Sequence, residues 1–220
     1  WRGEHEKAIK DQDETIRFNP QEAAYFNNRA ISHAARREYD RAIKDYDEAL
    51  RLKPEYGLAL RNRGMCWTSK KDYDKAVRDF TETLQLDPRD AAAHSGLGSA
   101  LTGKKQYAAA IANFENALHI DGRLTTALNS WAWLLATCPD ATFRNGPKAL
   151  ELARQACEQT DWKAAGIIDT LAAAHAEAGQ FADAIRYQRQ ALQSKSFAQN
   201  NDEARRRLQL YQENKAYQEE

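Results

Sequence analysis

Residues Ala23–Tyr56 read AAYFNNRAISHAARREYDRAIKDYDEALRLKPEY. Two helical patterns lie in this stretch, joined by a short turn. In the first, about Ala23–Arg36, Phe26, Ala30 and His33 are spaced four and three apart. In the second, about Asp40–Leu52, Ala42, Ile43, Tyr46, Ala49 and Leu50 share one side. Both spacings put an apolar stripe on a helix. Asp40 is placed to cap the second helix, and Pro54 lies just past its end. Helices of roughly three turns are not stable alone in water, so something must cover the stripes. Copies of the same unit supply the cover: Ala8, Ala42, Ala76 and Ala110 follow one another at intervals of 34 residues. A fixed period of this size marks stacked copies of one supersecondary unit.

A 34-residue helix–turn–helix unit with small residues in mid-helix and a late proline resembles the tetratricopeptide repeat (TPR). With Ala23 as position one, the first-helix signature falls on Phe26, Arg29, Ala30 and His33. The second-helix signature falls on Ala42, Tyr46 and Ala49, and the proline on Pro54. The Asn27-Asn28-Arg29 run is similar to a bacterial variant of the repeat. The resemblance covers nearly the whole chain. It implies an all-α fold, a right-handed superhelical solenoid of antiparallel helix pairs. The expected content is about five full repeats, a truncated first repeat and a C-terminal capping helix, with residues 1–220 forming one domain.

Residues 1–22 are the partial repeat. Trp1 falls at position thirteen, so the chain is expected to begin inside a repeat, with a turn at Arg2-Gly3-Glu4 and a helix from about His5 to Phe18. Repeat two is 23–56. Repeat three, 57–90, carries Leu60, Arg63, Gly64, Trp67, Tyr73, Ala76, Phe80 and Pro88 at signature places. Repeat four, 91–124, has Gly122 in place of the proline. In repeat five, 125–164, a first helix over Thr125–Thr137 is followed by Ala149, which trails Ala110 by 39 residues instead of 34. The turn Cys138–Pro147 is therefore lengthened. A surface turn plugged by Phe143 is favoured over a binding loop, and Pro147 suits the first turn of the next helix. Repeat six is 165–198. A capping segment, 199–220, follows the Ser194–Asn201 linker, with a helix expected over Asp202–Tyr217 and Arg205, Arg206 and Arg207 on its wet face.

Composition narrows the function. Lys plus Arg equals Asp plus Glu at 32 each, and the pI is about 7.1. That balance argues against nucleic-acid or membrane-surface partners. The apolar run Trp131–Cys138 is far short of the ~18 residues a membrane helix needs, so no membrane insertion is expected. Cys66, Cys138 and Cys157 are odd in number with no CxxC, which favours reduced thiols and a cytoplasmic location over a Cys138–Cys157 disulfide.

The resemblance further implies that the first helices line a concave wall through positions two, five, six, nine, twelve and thirteen. Those places hold Asn27, Asn28 and Ile31; Arg61, Asn62 and Met65; Ser95 and Ser99; Asn129, Ser130 and Trp133; and Asp169 and Thr170. Amides and hydroxyls at fixed spacing suit the backbone of an extended peptide. Arg61 would pair with a carboxylate, and Met65 and Trp133 would accept an apolar anchor. The competing reading is that the asparagines are solvated or bond neighbouring helices. Some family members clamp a C-terminal carboxylate with paired lysines, but Asn27 and Arg61 stand where those lysines would be. His5, His33, His94, His119 and His175 form no HExxH or Cys/His cluster, so no metal, cofactor or catalytic residue is expected. Carboxylates such as Asp45, Asp47 and Glu48 read as exposed. The expected function is a protein–protein interaction scaffold that binds a peptide or protein segment in its groove. Two alternatives stay open: a structural module that self-associates through its ends (around Ile9 and Leu208, with the truncated N-terminal helix exposing Ala8, Ile9 and Ile16) or its convex face to organise a larger complex, or the recruitment arm of a larger enzyme.

Overall fold

The computed structural model describes residues 2–199 and 201–219. Among them there is no strand. The helices are α1 (Arg2–Phe18), α2 (Ala23–Ala35), α3 (Tyr39–Leu52), α4 (Gly57–Ser69), α5 (Tyr73–Leu86), α6 (Ala91–Gly103), α7 (Tyr107–Ile120), α8 (Thr125–Thr137), α9 (Gly146–Gln159), α10 (Ala165–Glu177), α11 (Phe181–Leu192), α12 (Lys195–Ala198) and α13 (Asp202–Gln212). The expected all-α class and helix pairing are borne out. The chain divides into two compact units, Trp1–Asn113 and Phe114–Glu220.

Two expectations near the start of the chain are corrected. The turn expected at Arg2-Gly3-Glu4 is helical and belongs to α1; the placing of Trp1 at position thirteen lies outside the described residues. Asp40 does not cap α3, because the helix starts one residue before it, with Glu38 at the N-cap. The Glu38 carboxylate instead bonds His33 and accepts from Arg36 and Arg41. The His33 bond, with help from the two arginines, draws it down to about 2. Asp40 accepts from Lys70.

In the first unit the alanines at the repeating core positions let helix backbones approach closely. Ala30, Ala42, Ala49 and Ala59 are fully buried with Tyr46 in one cluster, and Ala76, Ala93 and Ala100 with Phe80 in the next. Phe80, from α5, fills the space between two glycines of the flanking first helices. A Cβ on Gly64 would sit 3.1 Å from its ring, and one on Gly96 only 2.4 Å. The ring is completely buried. Gly96→Ala is therefore expected to destabilise the chain by about 1–3 kcal/mol, although alanine is the better helix former. Thermal unfolding checks this; a variant at or above the native midpoint overturns it.

A polar ladder repeats with the same period. Arg29 of α2 donates to both oxygens of Asp45 on α3, at 2.8 and 2.7 Å, and to Asp13 on α1 at 2.6 Å. Arg63 of α4 does the same to Asp79 on α5, at 2.8 and 2.7 Å, and to Asp47 on α3 at 2.7 Å. Asp45 and Asp79 are buried, so Asp45 does not belong to the exposed face expected for it.

In the second unit α8, α9 and α10 pack on one another. The lengthened turn is tied down along its length. Arg144 donates to Glu177 at 3.0 Å and to the Cys138 carbonyl at 2.9 Å, and the Asn145 N–H donates to Leu135 O at 2.9 Å. Asn145 caps α9, with Pro147 in its first turn. Gly146 presses on α10, where a Cβ would meet the Ala178 backbone N at 2.8 Å. Phe143 is half-buried. Cys66 and Cys157 are buried thiols, pushed by burial up to about 11 and about 12. The Cys138–Cys157 disulfide is not formed.

The C-terminal segment departs most from expectation. The Ser194–Asn201 linker contains α12, and its Asn200 lies outside the described residues. Helix α13 ends at Gln212, not Tyr217. Asn214 takes a left-handed conformation (φ 56°), its N–H donates to Tyr211 O, and the Lys215 N–H donates to Leu210 O. This pair of bonds closes a helix and reverses the chain. Arg207 is not on a wet face: it is buried against Asp169.

Candidate functional site: the first helices of the repeats

In the first unit α2, α4 and α6 carry the expected wall residues. Asn28, Ile31 and Met65 are exposed, Ile31 by 42% and Met65 by 54%, while Asn62 is half-buried. Asn28 and Ile31 are three apart on α2, as Asn62 and Met65 are on α4, so each pair shares a helix face. The two pairs stand at the same register of adjacent repeats. Together they make a strip with apolar centres flanked by amides. Leu58, exposed by 39%, joins it four residues before Asn62. It stands at position two of repeat three, a wall position that the resemblance implies, although it is not among the residues named there.

Other expected wall residues are structural. Asn27 is buried, and its Nδ2 donates to Asn28 Oδ1 at 3.3 Å while its own Oδ1 accepts no hydrogen bond. Arg61 donates to Asp90 Oδ2 at 2.7 Å, and Asp90 Oδ1 caps α6 by accepting from Ala93 N at 2.9 Å. The guanidinium thus anchors the start of α6. Ser95 is buried, and its carbonyl accepts from Ser99 Oγ at 3.1 Å.

In the second unit Asn129 and Ser130 are half-buried, and Asn129 Oδ1 accepts no hydrogen bond. Asp169 is buried on α10. It accepts from Arg207 of α13 at 2.7, 3.0 and 3.1 Å and from Gln188 of α11 at 2.6 Å. Burial pushes its carboxyl up, against the opposing pull of Arg207 and Gln188. It therefore fastens three helices together. Thr170 is buried and donates to Gly166 O at 3.2 Å.

Trp133 is covered by the chain itself. Its indole Nε1–H donates to Glu219 Oε2 at 3.2 Å, and the Tyr217 ring lies 6.1 Å away, tilted by 43°. The Arg207 guanidinium sits 5.2 Å from the Trp133 ring centre and 5.3 Å from that of Tyr217. The Glu219 N–H donates to Thr137 O at 2.8 Å. Tyr217 and Glu219 are missing from the expected set because a last helix running to Tyr217 leaves no segment to fold back; Thr137 stands at position thirteen of repeat five, an implied wall position, but is not among the residues named for it.

Among the described residues no group of three His, Cys, Asp or Glu side chains is placed to hold a metal. None of the described helices is long and apolar enough to cross a membrane.

Comparisons with known proteins agree with this architecture. A family model described as tetratricopeptide repeat matches residues 27–80 and 70–122, and a second model of the same description matches 165–195. A search of curated proteins found no match. Among solved structures, a chain of the APC/C hetero-tetramer Cut9-Hcn1 superposes with a TM-score of 0.83 at 14% identity over 95% of this chain. This chain spans 40% of the length of that one. A thermophilic TPR protein of Thermus thermophilus superposes at 0.70, with 17% identity over 86% of this chain and 98% of its own. YrrB, described as a TPR protein with an unusual peptide-binding site, superposes at 0.56, with 20% identity over 89% of this chain and 96% of its own. Identities this low carry the fold alone. With the 34-residue period, the paired helices and two matching family models, the chain belongs to the tetratricopeptide repeat family, whose fold serves as a protein–protein interaction scaffold.

Proposed function

We propose that this scaffold holds an extended segment of a partner protein along the inner faces of its first helices. The observation that carries the reading is the strip of Ile31 and Met65, exposed at one register of adjacent repeats and bordered by Asn28 and Asn62. Large apolar side chains left exposed side by side mark interaction surfaces. The neighbouring amides can bond a peptide unit as donor and acceptor at once. Arg61, engaged by Asp90, is left out of the ligand set. The peptide-binding site for which YrrB is described gives the reading a precedent on a similar fold.

The test is capture of partners from native lysate by this chain and by a variant with Ile31→Ser, Met65→Ser, Asn28→Ala and Asn62→Ala. These side chains are exposed or half-buried, so the variant is expected to keep its helical circular dichroism. Losing two apolar anchors at ~1–2 kcal/mol each predicts at least a tenfold fall in captured partner. Equal capture by both chains would overturn the reading.

Self-association through α1 is the second reading, and one feature favours it: Phe18 is 90% exposed at the end of that helix. Against it, Ile16 already packs on the α2–α3 cluster. Sedimentation over a range of concentrations decides between them.

A further inference from the structure

The segment that follows α13 lies against α8. After the reversal at Asn214, residues 215–219 run back over the last turns of α8 without regular secondary structure. Three unlike groups, two on α8 and one on α13, are each met by a matching group of the tail. The Thr137 carbonyl, in the last turn where helix carbonyls lack intrahelical partners, receives the Glu219 N–H at 2.8 Å. The Trp133 indole N–H finds the Glu219 carboxylate at 3.2 Å. The Arg207 guanidinium, close to both rings, is shared by Trp133 and Tyr217. Tyr217 and Glu219, two residues apart, both meet Trp133. Ala216 and Tyr217 are half-buried and pack against the edge of the core cluster of Ala172, Ala176, Ala184 and Tyr211, while Glu219 is exposed.

We propose that residues 214–219 are an intramolecular stand-in for the ligand of this face. A partner segment with an aromatic side chain followed, two residues later, by a carboxylate displaces them. This deepens the proposed function and rests on it, naming the ligand chemistry for one part of the wall and a device that regulates access. A tether this short holds the tail at an effective concentration of roughly millimolar. Weak segments are thereby excluded, and a partner must match the tail's chemistry to open the site.

The experiment uses a fluorescent synthetic heptapeptide of residues 214–220, NKAYQEE. Binding is followed by anisotropy to the native chain and to the Tyr217→Ala/Glu219→Ala chain, whose own tail can no longer compete. The doubly substituted chain is expected to bind the peptide at least tenfold more tightly than the native one. Adding Trp133→Ala should abolish that binding, and a peptide with alanine for its tyrosine should bind at least tenfold more weakly. Circular dichroism confirms that each chain is folded, and a chain ending at residue 213 serves as an independent relief of the tail. Equal binding by native and relieved chains, or binding that survives Trp133→Ala, overturns the proposal. So does a native chain that is dimeric only with its tail intact, since the tail would then belong to a second copy. If the relieved chains ignore the peptide while capture through Ile31 and Met65 persists, this inference falls and the proposed function stands.

Discussion

Arg207→Ala is expected to destabilise the chain by about 3–5 kcal/mol, because it leaves the Asp169 carboxylate buried without its counter-ion. Both side chains of the pair are only 7% exposed. Gln188 still donates to Asp169 at 2.6 Å, but one amide does not balance an ion out of water. The effect should be larger than that of Arg205→Ala two residues earlier, since Arg205 is exposed and makes an i,i+3 pair with Asp202. Replacing the pair by leucines, Asp169→Leu/Arg207→Leu, should recover most of the loss, because the charge and its partner leave together.

The pH dependence has a definite sign. Burial already pushes the Asp169 carboxyl above the usual range, and Arg207 is the first of the groups that oppose it. Without Arg207 it rises further. A carboxyl that titrates higher in the folded than in the unfolded chain favours the fold below its unfolded value, and that contribution is lost as pH rises through its folded value. The deficit of Arg207→Ala is therefore largest at neutral pH and shrinks as the solution is acidified. Urea midpoints of both chains measured down the pH scale check this. A deficit that grows in acid would show that the pair is not what holds α13 to α10.

Arg63→Ala is the second large effect, expected at about 3 kcal/mol by the same loss of a buried carboxylate's partner. Asp79 is 3% exposed at its side chain, and the guanidinium fork supplies both of its oxygens. Arg63→Lys should restore only part of the loss, because an ammonium cannot make the planar two-point contact. Asp47→Ala should cost no more than about 0.5 kcal/mol, since Asp47 is 56% exposed. The ranking Arg63→Ala, Arg63→Lys, Asp47→Ala in thermal midpoints is the observable. An Asp47 effect as large as that of Arg63 would mean that the ladder acts mainly between repeats and not within one.

Helix positions were legible wherever small and apolar side chains recur with the period. The span Thr125–Thr137 and the register of Asn28, Ile31, Asn62 and Met65 came directly from it. The polar ladder was less legible, although Arg29 and Arg63 recur with Asp45 and Asp79 at the same interval. An Arg or Asp on a helix reads alike whether it faces water or a neighbour. Arg205, Arg206 and Arg207 make the same point: successive residues point about 100° apart, and only tertiary packing selects Arg207 to turn inward. Position five hides a similar ambiguity, with Asn27 and Asp169 buried while Asn129 is half-buried. The reversal at Asn214 was signalled only by an asparagine near a helix end, a residue that tolerates the left-handed conformation without requiring it.

The ring of Phe80, flanked by Gly64 and Gly96, acts as a gauge block. With no side chain on either glycine, the tip of the Phe80 ring reaches both α4 and α6 and helps to hold their spacing. The spacing of the groups that those helices present on their other sides is thereby determined from behind. Under the proposed function, selection on recognition by the first unit can then work at two independent places. Surface residues change which chemistry is read, while a residue buried in the second helix of a pair changes the pitch at which it is read.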